Sequence, residues 1–148
     1  MGPRSGILVA GIVVVLALTF ASDMSTVNAA RFIVGDDKHW TFGYNYTDWA
    51  QKNAPFHVND TLVFMYDPPS NLTHPHSVYL MNNLKSYLTC NLNKSRMVGN
   101  VIQGAGSGFE FTLTKRKPHY FACGERNGFH CTVGQMKFVI TPKRPCRG

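Results

Sequence analysis

The stretch from Tyr120 to Ile140, YFACGERNGFHCTVGQMKFVI, constrains this chain more than any other, because it sets Cys123, His130 and Met136 between two apolar runs that read as strands. A thiol, an imidazole and a thioether on one loop are soft donors and point to a transition metal. A second imidazole would complete a set of two His and one Cys with a weak axial Met or Gln, the donor set of a type 1 copper. His76 is the best candidate. It opens HSVYLM, where Val78 and Leu80 share its parity, so its ring turns toward the core at the mouth of a half-buried strand. In His74-Pro75-His76 the proline restricts His74 to an extended conformation in the loop, which leaves His76 as the preferred ligand. His39, His57 and His119 fall in turns or at strand starts and read as surface imidazoles.

The chain has 148 residues, enough for one domain around one core. Its start reduces that length. Arg4 precedes an apolar run from Ile7 to Phe20, and Val27-Asn28-Ala29 is an A-x-A-like cleavage site, so residues 1–29 read as a secretory signal peptide. The run is about 14 residues, short of the roughly 20 that span a bilayer, and no stable membrane span is expected in the mature form. The mature domain is placed at 30–142, followed by a basic tail at 143–148. PKRPCRG carries no apolar segment, so no GPI anchor is expected.

Export to an oxidising compartment changes how the four cysteines are read. Sequence alone does not choose among the three possible full pairings. If Cys123 is a metal ligand, then Cys90, Cys131 and Cys146 remain. A bridge from Cys90 to Cys131 would pin the ligand loop to the middle of the chain and leave Cys146 unpaired or intermolecular. Cys123 bridged to Cys146 is the alternative.

In chain order the mature segment reads as a small all-β domain. Arg31 to Gly35 is a first strand, and Thr47 or Asp48 is positioned to cap a short helix through Trp49. Thr61 to Tyr66 is rich in β-formers. Asp67-Pro68-Pro69-Ser70 interrupts before Val78 to Met81, which is followed by a helical turn toward Cys90. A long polar connection then ends in Gly104-Ala105-Gly106-Ser107-Gly108. Phe109, Phe111 and Leu113 alternate with Glu110, Thr112 and Thr114, the clearest half-buried strand. Tyr120 to Cys123 and Lys137 to Thr141 complete a set of short strands punctuated by Gly and Pro, which argues for a Greek-key β-sandwich with one or two short helices.

The formal net charge is +7, with Lys115-Arg116-Lys117 and Lys143-Arg144 as the visible clusters. For an exported protein such a surface favours acidic matrix or cell-wall polymers, and no nucleic-acid motif is present. Sequons at Asn45, Asn59, Asn71 and Asn93, all in or beside expected turns, read as N-glycosylation sites.

These residues resemble the phytocyanins, the plant blue copper proteins. The carriers are RFIVG with Trp40, Asp48-Trp49, HSVYL, Cys90 followed by Asn91, YFAC, and HC with Gly134-Gln135-Met136-Lys137, spanning Ala30 to Pro142. The resemblance implies a cupredoxin-like sandwich, a Cys90–Cys131 disulfide and one type 1 copper held by His76, Cys123 and His130. It implies single-electron transfer by Cu(I)/Cu(II) cycling with a separate redox partner, in a secreted, extracellular protein that is not an enzyme. Two departures bear on the site. The loop GERNGF is longer than the family's usual one, and the usual axial spacing falls on Gln135, as in stellacyanins. The inward parity of Phe138 and Ile140 instead favours Met136, with Gln135 as the alternative.

Two other readings compete. A Cys123/His130 nucleophile pair for hydrolysis lacks an orienting Asp or Asn and adjoins Cys131, which the compartment would oxidise. A copper-free early nodulin-like glycoprotein with a structural, matrix-binding or signalling role is the stronger rival.

Overall fold

The computed structural model describes residues 1–2 and 29–145. Residues 3–28, which carry most of the expected signal peptide, and 146–148, with Cys146, lie outside the described residues. The elements in order are β1 (Arg31–Ile33), a 3-10 turn (Asp36–Lys38), α1 (Tyr46–Asn53), β2 (Thr61–Phe64), β3 (Val78–Met81), α2 (Leu84–Thr89), β4 (Arg96–Gly99), β5 (Phe109–Thr112), β6 (His119–Ala122), α3 (Phe129–Thr132) and β7 (Lys137–Ile140). They form two sheets, ordered β1-β2-β5 and β4-β3-β6-β7. The β1–β2 pair is parallel and the others antiparallel.

An aromatic core lies between the sheets. Trp40, Tyr46, Trp49, Phe64, Phe121 and Phe138 are all buried, with Phe121 and Phe138 stacked at 5.1 Å and Trp40 edge-on to Phe64 at 5.3 Å. Such pairs add about 1 kcal/mol each beyond the area they bury. Helix α1 lays Trp49 against Phe138 of β7, ring to ring at 5.3 Å, while the indole N–H donates to Asp36 Oδ1. The polar edge of the indole is satisfied where its apolar body is buried.

Asn45 caps α1, its Oδ1 accepting the N–H groups of Thr47 and Asp48. The cap thus lies just before the two residues expected to supply it, because the helix begins at Tyr46, whose ring must reach the core.

Two other expectations are corrected. The segment read as a long polar connection contains β4, an edge strand of the larger sheet, whose Arg96 and Met97 are exposed and leave no apolar alternation to detect. His119 is 4 % exposed rather than a surface imidazole. It is the first residue of β6 and shares the inward parity of Phe121, with which it stacks at 6.3 Å, while its Nδ1 lies 2.7 Å from the Lys117 carbonyl, to which the N–H donates.

Candidate metal centre

Three elements converge at one end of the sandwich. His76 lies in the loop two residues before β3, Cys123 follows the last residue of β6, and His130 lies in α3. The parity that buries His119 and Phe121 also buries Cys123, since alternate residues of a strand face the same way. His76, Cys123 and His130 are 9 %, 0 % and 3 % exposed.

Their donor atoms form a nearly regular triangle. His76 Nδ1 and His130 Nδ1 lie 3.2 Å apart, and Cys123 Sγ lies 3.9 Å from the first and 3.6 Å from the second. The point equidistant from the three atoms is about 2.1 Å from each, a metal–imidazole bond length and slightly less than a metal–thiolate one. The donor set therefore fits a small transition-metal ion in size as well as softness. It is the one group of three or more His, Cys, Asp or Glu side chains with such geometry among the described residues, and no carboxylate belongs to it.

The Cys123 thiol is held from behind. The Ser77 N–H donates to its Sγ at 3.5 Å, Ser77 Oγ accepts the Gly124 N–H at 3.3 Å, and the Ser77 carbonyl accepts the Trp40 indole N–H at 3.1 Å. One fully buried residue thus joins the thiol to the backbone just after β6 and to the aromatic core. Nothing in the residue type of Ser77 marked it, although its place directly after His76 was a positional signal.

His130 is fixed by its neighbours. Cys131 is bridged to Cys90 at the end of α2, and Phe42 meets the His130 ring edge-on at 5.3 Å. The six-residue segment GERNGF turns through three consecutive left-handed residues, Arg126, Asn127 and Gly128. A Cβ on Gly128 would lie 3.0 Å from the Cys90 carbonyl oxygen, so glycine permits the loop to lie against the bridge there. Among the described residues Cys123 is the free thiol.

Gln135 and Met136 part company. Gln135 is exposed with φ at +53°, whereas Met136 is fully buried in the core cluster that contains Cys123. The backbone carries the difference: the Met136 N–H donates to the His130 carbonyl, and the Cys123 N–H to the Met136 carbonyl. His74 is exposed and, with His39, lines a cleft of about 780 Å³ above His76 and His130, outside the triangle.

Burial sets the protonation of the metal-free site. It pushes the Cys123 thiol up to about 11, against the opposing Ser77 N–H, and lowers His76 to about 4, with His130 and His74 adding to the shift. His130 is also lowered by burial. Neutral imidazoles are ready donors, while the thiol must lose a proton to coordinate.

A plastocyanin-like domain model matches residues 40–135. Blue copper protein 1a of Medicago truncatula is 35 % identical over 133 residues, covering 88 % of this chain and 72 % of its own length. The chain belongs to the phytocyanin family. This phytocyanin is also 34 % identical to early nodulin-like protein 16 of Arabidopsis thaliana, over 92 % of this chain and 71 % of that one. Among solved structures, cucumber stellacyanin superposes with a TM-score of 0.60 at 30 % identity, over 79 % of this chain and 98 % of that one. The sandwich is accordingly cupredoxin-like.

Proposed function

We propose that this phytocyanin is a secreted type 1 copper protein that transfers single electrons, its copper held by His76, Cys123 and His130 with Met136 as the weak axial ligand. The observation that carries the reading is the triangle of two imidazole nitrogens and one thiol sulfur, with edges of 3.2, 3.6 and 3.9 Å. Bound copper would supply a one-electron Cu(I)/Cu(II) couple. The residues of this chain orient the donors and exclude water: Ser77 directs a hydrogen bond at the sulfur, Phe42 covers an edge of His130, and the aromatic core seals the inner side. Met136 is favoured as the axial group because it is buried where Gln135 is exposed.

The relatives support an electron carrier rather than an enzyme, and a separate redox partner follows from that role. Secretion rests on the apolar start with its cleavage site, and the domain limits of 30–142 on the same reading. Among the described residues no helix is long and apolar enough to cross a membrane. The four sequon asparagines, Asn45, Asn59, Asn71 and Asn93, are exposed, which suits glycosylation after export. A copper-free role is the second reading, because relatives named early nodulin-like stand beside those named blue copper proteins. An absorption spectrum of the mature domain with added Cu(II) separates the two. Copper coordination predicts a strong thiolate-to-copper band in the visible, and a colourless protein with no bound copper would select the second reading.

A further inference from the structure

The pole of the sandwich opposite the candidate metal centre carries two clusters of exposed cations. β6 runs from His119 to Ala122 and delivers Cys123 just past its far end, about 14 Å from its start at ~3.4 Å per residue. The loop entering β6 carries Lys115, Arg116 and Lys117, all exposed. At that same end His119 pairs with Ile140, the last residue of β7, after which the chain runs on to Lys143 and Arg144, also exposed. Hydrogen bonds tie these segments to a third loop. The Val58 N–H donates to the Lys143 carbonyl, the Lys143 N–H to the Phe56 carbonyl, and the Asn59 N–H to the Leu113 carbonyl.

None of these five cations takes part in an ion pair among the described residues. The acid on these loops, Asp60, is 3 % exposed and spends its carboxylate on the backbone N–H groups of Ala30 and His57. Among the described residues the pole is therefore a field of one sign with no exposed acid on its loops, the arrangement that draws polyanions.

Three observations narrow the partner. None of the exposed large apolar side chains lies on these loops, so the pole has nothing to insert into a bilayer. The exposed aromatic rings, Phe42 and Phe129, are at the metal end, so a stacking platform for single-stranded nucleic acid is missing here. The relatives are plant proteins, and the export proposed above, on which this step rests, would place the pole among the carboxylated sugar polymers of a plant matrix. We infer that the pole formed by Lys115, Arg116, Lys117, Lys143 and Arg144 binds linear carboxylated polysaccharide and leaves the His76–Cys123–His130 end facing away from it. This gives a location to the acidic partner expected from the net charge, and it is independent of copper.

The test uses the metal-free mature protein and immobilised polygalacturonate. Lys115→Gln/Lys117→Gln should weaken binding about tenfold at low salt, while Lys38→Gln/Arg126→Gln, which removes the same charge from the metal end, should change it less than about twofold. Binding should also fall steeply as salt is raised. Equal losses in the two variants would mean that net charge alone attracts the polymer and would overturn the assignment. So would tighter retention on phosphatidylserine vesicles or on single-stranded DNA at the same salt. Because the exchanged side chains are exposed, matching melting curves for both variants would confirm that binding, not folding, was altered.

Discussion

The backbone N–H of Ser77 points at the sulfur of Cys123 from 3.5 Å, so the residue after one candidate ligand is bonded to the next. This couples the loop before β3 to the end of β6 without any metal. The bond favours the thiolate over the thiol, and it opposes burial, which pushes Cys123 up to about 11. Cys123→Ser removes the sulfur and should abolish the visible band of the copper-loaded protein. A variant that kept the band would show that the thiolate is not a ligand.

Metal loading should release a definite number of protons. His76 is held at about 4 and His130 is lowered as well, so both rings are neutral near neutral pH, while the Cys123 thiol at about 11 is protonated. Coordination should therefore free about one proton per ion between about pH 7 and 8. Titration in weak buffer with a pH indicator reads the number directly. Release of none would exclude thiolate coordination.

The axial position should tune potential without holding the metal. Met136 is buried and Gln135 exposed, so Met136→Gln should lower the reduction potential with copper retained, because an amide oxygen favours the harder Cu(II). Gln135→Ala should leave the potential nearly unchanged. Voltammetry on the two variants checks the assignment, and the reverse pattern would make Gln135 the axial group.

Acid should destabilise the metal-free fold earlier than carboxylate titration alone would. Burial lowers His76, His119 and His130, so in mild acid the unfolded chain binds protons that the folded chain refuses. Their contribution to stability is complete above the unfolded value of about 6.5 and is lost as pH falls toward the folded values, about 4 for His76. Urea midpoints should drop between about pH 7 and pH 5. His119→Gln, away from the metal end, should flatten that drop, and an unchanged slope would contradict the role of His119.

The Cys90–Cys131 bridge closes a loop with a sequence separation of 41 and lies next to His130. Replacing both cysteines with alanine should cost about 4 kcal/mol by chain entropy. It should also broaden the His130 signals in NMR spectra of the metal-free protein. Peptide mapping of the oxidised protein should recover this pair with Cys123 free, and a Cys123–Cys146 peptide would count directly against copper.

Much of the architecture was legible because periodicity and burial coincide. In β5, Phe109 and Phe111 are half-buried between the exposed Glu110 and Thr112, as alternation required. The strand parity that brought His76 into consideration also describes the placement of Cys123. β4 was hidden because an edge strand need not be apolar, and its pairing with β3 is long-range information that no local window holds. His119 was misread because a strand start was equated with the surface. The inward parity of Phe121 and the Lys117 carbonyl two residues back together make a neutral imidazole acceptable inside. Ser77 was missed because its role belongs to its main chain, which residue type does not announce.

The triangle of donors has a bearing on the order of events in the life of the molecule. The imidazoles and the thiol stand at bonding separations, with the Ser77 N–H on the sulfur and the Cys90–Cys131 bridge beside His130, so ion binding is expected to ask little rearrangement of the chain. Matching hydrogen-exchange protection of the β3, β6 and β7 amides with and without copper would bear this out, and loss of protection without copper would tie the fold to the metal.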